Sequence, residues 1–183
     1  MLKASENPPI IWPEDGSVVD FTEQWWVVHT KSRNEKALAH DLISREVNYF
    51  LPMNWKARKS SRRTVRSLLP LFNGYLFFCG SEEQRIQLLQ TNRAAGLIQV
   101  VDQQQLIHEL AQIEQALRAG APLVPDNYIE KGRKCRVIAG PLMGLTGIVI
   151  EQRNATRLVL QVDMLGQAAS VEIDVDLLEV VEQ

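Results

Sequence analysis

Residues 136–149, Arg-Val-Ile-Ala-Gly-Pro-Leu-Met-Gly-Leu-Thr-Gly-Ile-Val, contain the turn that decides the fold of the C-terminal part of this chain. An alternating strand runs into Gly140-Pro141, and a second strand leaves directly after Gly147. Glycines at this spacing allow a tight turn with positive φ, where a Cβ would clash. A phosphate-binding loop would need a helix after its glycines and a Gly-Lys-Ser/Thr ending. The stretch therefore predicts two strands joined by a glycine turn and argues against nucleotide binding.

The composition is that of a soluble globular protein with one domain or two small ones. The chain has 183 residues, of which 45% are hydrophobic and 23% are charged. No apolar run is long enough to span a bilayer, and the N-terminus lacks the pattern of a secretory signal, so we expect a cytoplasmic protein with no membrane partner. Cys79 and Cys135 are expected to be buried free thiols.

The net charge of −2 is distributed unevenly along the chain. Residues 22–118 carry thirteen Lys and Arg against nine Asp and Glu, whereas residues 1–21 and 119–183 are both net acidic. A basic middle between acidic ends indicates that the middle approaches a polyanion and that the C-terminal part has another role.

The pattern of residues 22–118 predicts one mixed domain. Its four strands are predicted over 25–30, 47–53, 71–79 and 97–101. Its first two helices are each opened by a capping box, Ser32 with Glu35 and Ser81 with Gln84. A third helix from Asp102 carries an apolar stripe. The order β-α-β-β-α-β predicts an α+β fold with a ferredoxin-like split βαβ arrangement.

The remaining segments complete the predicted domain organisation. Residues 1–21 are acidic and rich in proline, which predicts a flexible tail. Residues 119–132 lack periodicity and contain two prolines and two glycines, which predicts a linker. Alternating runs over residues 133–183 predict four or five short strands in a small SH3-like β-barrel.

Several motifs resemble those of one known family. The glycine turn looks like a KOW motif, and the first domain carries Trp-Trp-Val-Val at 25–28, Val-Asn-Tyr-Phe-Leu-Pro-Met at 47–53 and Pro-Leu-Phe-Asn-Gly-Tyr-Leu-Phe at 70–77. Together they are similar to the NusG family of transcription elongation factors, and within it to the specialised RfaH-like antitermination factors. The resemblance covers residues 24–183.

The resemblance implies binding to RNA polymerase. In this family an apolar patch of the N-terminal domain docks on the clamp helices of the largest polymerase subunit and suppresses pausing. The corresponding residues here are Phe72, Tyr75, Phe77 and His29. Strict strand alternation puts Phe72 on the opposite face from the other two aromatics unless the chain bulges near Asn73-Gly74. The alternative is that these aromatic side chains belong to the core.

Two departures from the RfaH-like pattern affect the expected domain arrangement. Asn73 stands where proline is usual, and Leu69 stands where RfaH-like factors have an acidic residue that bridges the two domains. An apolar side chain cannot form that bridge. The glycine turn and the β-branched strands also favour a permanent β-barrel over a helical hairpin.

A basic segment is the main candidate for contact with nucleic acid. Residues 54–67 contain no acid and read as a hairpin or loop between two strands; their cations are Lys56, Arg58, Lys59, Arg62, Arg63 and Arg66. Three further cations, Lys31, Arg33 and Lys36, surround the start of the first helix. The basic segment is expected to contact either phosphates of non-template or upstream DNA in the elongation complex or an acidic surface of the polymerase, and the helix cations are expected to face a polyanion such as this DNA. The alternative is a solvated basic surface.

Apolar loop residues in the second domain indicate a protein-binding rim. Leu142 and Met143 lie at the glycine turn, and Met164 and Leu165 lie in a later loop. Partial self-packing is the alternative. The resemblance implies Rho or a small-subunit ribosomal protein as the partner of this domain.

No catalytic or metal-binding constellation is recognisable in the sequence. His29, His40 and His108 are scattered, and no nucleophile, base and orienting group occur together. We therefore expect a monomeric protein that is not an enzyme and uses no cofactor. The competing interpretation is a KOW-type RNA-binding or ribosome-associated protein.

Overall fold

The computed structural model describes residues 6–59, 64–129, 132–152 and 154–181. It divides the chain into a first unit, residues 1–103, and a second unit, residues 104–183. Each unit is described by itself below.

The first unit is built on a five-stranded antiparallel sheet with two helices. Its strands are β1 (Ile11–Trp12), β2 (Trp25–Thr30), β3 (Asn48–Phe50), β4 (Met53–Lys59), β5 (Thr64–Pro70), β6 (Tyr75–Cys79) and β7 (Ala94–Gln99), and its helices are α1 (Glu35–Ile43) and α2 (Glu82–Gln90). The sheet order is β1-β3-β6-β2-β7, and β4 pairs with β5 in a separate hairpin. Without β1 and the hairpin this is the predicted split βαβ arrangement, so the α+β fold class is confirmed.

One face of the sheet packs against the helices in a hydrophobic core. Val28, Leu76 and Phe78 project from the sheet into the same buried cluster as Leu38 and Leu42 of α1. The two leucines are four residues apart and therefore lie on one face of the helix, as the sequence predicted.

Only one of the two predicted capping boxes forms. The Ser81 hydroxyl accepts a hydrogen bond from the Gln84 amide at 3.3 Å, and the Gln84 side chain accepts one from the Ser81 amide at 2.9 Å. At α1 the N-cap is Asn34, so the predicted box of Ser32 with Glu35 is wrong. Glu35 instead accepts a hydrogen bond from the Gly74 amide at 2.7 Å, a tertiary contact that local spacing cannot reveal.

The N-terminal segment differs from the flexible tail that we predicted over residues 1–21. In its described part, β1 pairs with β3, and the side chains of Ile11 and Val18 are buried. The Leu51 amide donates to the Ile10 carbonyl at 2.7 Å. Composition suggested disorder, but Ile11 and Val18 are buried within the first unit.

The second unit contains a six-stranded antiparallel sheet and one long helix. The helix is α3 (Gln103–Arg118), and all of its residues except Gln103 belong to this unit. The strands are β8 (Val124–Asp126), β9 (Arg133–Val137), β10 (Thr146–Gln152), β11 (Ala155–Val162), β12 (Gln167–Glu172) and β13 (Leu178–Val180). The sheet order is β13-β9-β10-β11-β12-β8. The β-rich form favoured over a helical hairpin is therefore the one observed.

The three glycines of the decisive turn have two different roles. Gly140 and Gly144 have φ values of +84° and +92°, as a tight turn requires. Gly147 instead permits close strand packing, because a Cβ there would lie 2.4 Å from the Val159 carbonyl oxygen. The prediction of positive φ thus holds for two of the three positions.

Part of the predicted linker is a strand. β8 pairs with β12, and the Asp126 carboxylate accepts a hydrogen bond from the buried Ser170 hydroxyl at 2.5 Å. Arg157 donates to the same hydroxyl at 2.9 Å. The structure divides the chain between Gln103 and Gln104. The sequence-based boundaries at 21, 118 and 132 stay predictions.

Candidate nucleic-acid and protein interfaces

The aromatic residues of the predicted polymerase-binding patch differ in exposure. Phe72 and Phe77 are 2% and 0% exposed, and their rings meet edge to face with centroids 6.3 Å apart. Tyr75 is half-buried and stacks on the exposed His29 with centroids 5.2 Å apart. Tyr75 and His29 are therefore the members of the predicted set that reach the surface.

A glycine turn brings Phe72 next to Phe77. The strand begins only at Tyr75, after a turn in which Gly74 has a φ of +82° and the Tyr75 amide donates to the Phe72 carbonyl at 3.2 Å. The observed strand is thus shorter than the predicted one over 71–79, and the condition stated above for bringing Phe72 beside Phe77, an irregularity near Asn73-Gly74, is met. Glu35 fixes the turn through its hydrogen bond to the Gly74 amide.

A groove of about 990 Å³ opens beside this turn on the first unit. Its walls come from the end of β2, the start of α1 and the β4–β5 hairpin. Its lining includes four of the predicted nucleic-acid-binding cations, namely Lys31, Arg33, Lys36 and Arg66, together with His29 and Trp55. The structure thus brings together Lys31 and Arg66, which are 35 positions apart in the sequence.

The four cations of the groove are not equivalent. Arg33 and Arg66 are exposed, and no side-chain partner is recorded for either among the described residues. Lys31 donates to the Asn92 side chain at 2.6 Å. Lys36 donates to the Asn7 side chain and to the Leu68 carbonyl, each at 2.5 Å. Arg33 and Arg66 are therefore the cations most available to a phosphate.

The other predicted cations lie on β4 or outside the described residues. Lys56 is exposed on β4 and is absent from the groove lining. Arg58 and Lys59 lie on β4, and their side chains are outside the described part of the structure. Arg62 and Arg63 lie outside the described residues. The hairpin itself confirms one of the two shapes predicted for residues 54–67.

Sequence reasoning missed several residues of the groove. Asn7 comes from the segment predicted to be a flexible tail, and His40 lies one turn along α1 from Lys36. His40 contacts the Glu6 carbonyl at 3.0 Å. The helical spacing of Lys36 and His40 could have placed both on one face, but no local signal linked them to the N-terminus.

The predicted rim of the second unit consists of two separate loops. Leu142 lines a recess of about 260 Å³ with Val137, Ile173 and Leu177, whereas Met143, Met164 and Leu165 are not part of that lining. The Met143 side chain is 62% exposed, and those of Met164 and Leu165 are half-buried. The structure therefore does not unite the four residues in one pocket.

Helix α3 contacts both loops through polar side chains. Gln115 donates to the Met143 carbonyl at 2.8 Å, and Gln112 accepts from the Thr146 amide at 2.6 Å. One turn earlier, the Glu109 carboxylate accepts from the Asp163 amide at 3.3 Å. The helix thus satisfies backbone groups at both loops, a role that its apolar stripe did not predict.

We expect Glu109→Gln to stabilise the second unit at neutral pH. Burial raises the pKa of Glu109 above its ordinary value of 4.5, and the nearby Asp163 carboxylate acts in the same direction, although hydrogen bonds from Gln105 and the Asp163 amide oppose this. A carboxyl with a raised folded-state pKa stabilises the fold below its unfolded-state pKa, and this contribution is lost as pH rises through the folded-state pKa.

Chemical denaturation from about pH 4 to about pH 8 measures this effect. Glutamine keeps a carbonyl acceptor for the Asp163 amide and has no charge to desolvate, so the stability of the variant should depend less on pH. Parallel pH profiles for the variant and the parent would contradict the assignment. Glu151→Gln on the exposed surface of β10 is the matched control.

The described residues offer no metal site and no membrane-spanning helix. No three His, Cys, Asp or Glu side chains in ranges 6–59, 64–129, 132–152 and 154–181 converge as metal ligands would. In the same ranges no helix combines the length and apolar character needed to cross a bilayer.

Comparisons with known proteins identify the family. A family model described as transcription termination factor NusG matches residues 23–117, more than half of the chain. No curated protein sequence matches at a significant level. Among solved structures, the crystal structure of the MjSpt4:Spt5 complex in conformation B matches with 17% identity and a TM-score of 0.27, covering 87% of this chain and 98% of that one. The chain belongs to the NusG family of transcription factors.

Proposed function

We propose that this protein is an RfaH-like antitermination factor that binds RNA polymerase through its first unit and suppresses pausing. It acts in the cytoplasm as a monomer. The first unit docks on the clamp helices of the largest polymerase subunit, and the adjacent groove contacts non-template or upstream DNA. The second unit recruits a protein partner, Rho or a small-subunit ribosomal protein.

The observation that carries this proposal is the stacked pair of Tyr75 and His29 beside a basic groove. The two side chains project from paired strands, which hold them at a fixed spacing. Aromatic side chains contribute large contact areas at low entropic cost, which suits docking on a helical surface. Phe72 and Phe77 are buried and contact each other in the core.

The DNA contact rests on the charge and exposure of the groove. Arg33 and Arg66 present guanidinium groups to it, and Trp55, which is 53% exposed, offers an aromatic face. Cations that bind phosphates and rings that stack on bases are the usual elements of a single-strand site. Lys31 in the groove lining and the exposed Lys56 on β4 add positive charge to the first unit, and Arg58, Lys59, Arg62 and Arg63 remain predicted DNA contacts.

The partner site of the second unit is proposed at the glycine-turn loop. Leu142 forms part of an apolar recess, and the Met143 side chain is exposed although its carbonyl is bonded to Gln115. Met164 and Leu165 extend the contact to a second loop. Adaptable methionine side chains are frequent at surfaces that bind proteins.

Co-purification from host lysate with the intact chain tests the proposal. RNA polymerase subunits retained by the parent and lost with Tyr75→Ala would support docking through the first unit. Ribosomal RNA retained without polymerase would overturn it in favour of an RNA-binding or ribosome-associated role. Nuclease treatment of the lysate separates direct binding from tethering through nucleic acid.

A further inference from the structure

The N-terminal segment reaches the groove that lies beside the β4–β5 hairpin. Residues 6–12, here called the strap, run from α1 to the edge of the sheet. The Tyr49 hydroxyl donates to the Pro9 carbonyl at 2.9 Å, and β1 pairs with β3. The strap is therefore fixed at one end to the sheet and at the other end to α1.

Lys36 connects three segments that are distant in the sequence. From α1 its ammonium donates to the Asn7 side chain in the strap and to the Leu68 carbonyl in β5, both at 2.5 Å. Partial burial lowers the pKa of Lys36, while the neighbouring Glu35 opposes this. Two of its three N–H donors are thus committed to protein acceptors.

The strands of the hairpin pair with each other in a separate two-stranded sheet, which is joined to the rest of the first unit by Met53 and Leu68 at the core cluster and by the hydrogen bond from Lys36. A two-stranded sheet alone is marginally stable in water. Leu68 stands opposite Trp55 in the hairpin, and the Trp55 amide is bonded to the Asn54 side chain. The Leu68 carbonyl is therefore free to accept from Lys36, in the third residue pair from the base of the hairpin, where Met53 pairs with Pro70.

We propose that the strap and Lys36 set the position of the β4–β5 hairpin over the groove, so that Lys36 is a positioning residue rather than a phosphate contact. Asn7 holds the ammonium, and the ammonium holds the hairpin through Leu68. The part of this inference that concerns DNA binding rests on the function proposed above. Arg66, on the same hairpin and without a recorded side-chain partner, then takes the phosphate contact.

Hydrogen exchange of the intact chain tests the positioning directly and needs no ligand. Lys36→Met should speed exchange of the hairpin amides that bond across the strands, including Lys56 and Ser67, by about tenfold or more, because it removes a charge-assisted hydrogen bond. Asn7→Leu should give a smaller increase, and Lys36→Arg should restore slow exchange. In the double variant Asn7→Leu/Lys36→Met the two effects should not add. Unchanged hairpin exchange in Lys36→Met would overturn the proposal.

Binding of a fluorescent oligothymidylate over a range of salt concentrations separates positioning from phosphate contact. Lys36→Met should weaken binding several-fold and leave the salt slope unchanged, whereas Arg66→Gln should reduce the slope by about 0.7. An equal loss of slope in Lys36→Met would overturn the proposal. If the parent binds no oligonucleotide, the DNA contact proposed above fails, and the exchange measurement still decides the role of the strap.

Discussion

Replacing Phe77 by Ala is expected to lower the free energy of unfolding of the first unit by about 3–5 kcal/mol. The Phe77 ring is fully buried and packs against Phe50 and Phe72 with centroid distances of 6.5 and 6.3 Å. Domains of this size are stable by only about 5–15 kcal/mol, so the loss is a large fraction of the total. Thermal and urea melts followed by circular dichroism measure it.

Replacing Tyr75 by Ala should leave the protein folded but weaken its binding to polymerase. Tyr75 is half-buried and contacts His29 at the surface, so its removal leaves the core intact. An interface anchor of this kind contributes about 2 kcal/mol or more to binding. Tyr75→Phe keeps the ring and serves as the matched control. Full polymerase affinity in a folded Tyr75→Ala variant would refute the docking surface.

Removing three exposed cations around the groove is expected to change how DNA affinity depends on salt. Each phosphate contact on single-stranded DNA contributes about 0.7 to the slope of log affinity against log salt, so Arg33→Gln, Lys56→Gln and Arg66→Gln together should reduce the slope by about 2. Raising the salt concentration from 50 to 200 mM should therefore weaken DNA binding by the triple variant roughly 16-fold less than DNA binding by the parent.

Three exposed cations on β9 provide a control with the same change in net charge. Arg133, Lys134 and Arg136 belong to the second unit and are not part of the groove lining. Their replacement by Gln should leave the slope near that of the parent. Equal slopes for both triple variants would mean that the groove attracts DNA through net charge alone.

Local patterns were sufficient to predict the main elements of both units. The capping box at Ser81, the break before Tyr75 and the split βαβ order each depend on residues close together in sequence or on a general rule of topology. The positive φ values at Gly140 and Gly144 likewise favour glycine through local geometry alone, whereas Gly147 is required by its packing against Val159.

Tertiary contacts explain what the sequence did not predict. The strap has the composition of a disordered segment, yet it pairs with an edge strand about 40 residues away. Glu35 has the spacing of a capping residue but bonds to Gly74, and Lys36 looks like a surface cation but joins three segments. An apolar stripe identifies the buried face of α3 but not the loops that its polar side chains meet. Such contacts depend on the whole fold.

Binding of the intact chain to purified core RNA polymerase and, separately, to purified ribosomal RNA tests the central claim most directly. The account predicts a saturable complex with polymerase that Tyr75→Ala weakens by about 30-fold or more while the variant stays folded, since 2 kcal/mol corresponds to this factor. It also predicts weaker, salt-sensitive binding to ribosomal RNA. Tight binding to ribosomal RNA with no polymerase complex would contradict it.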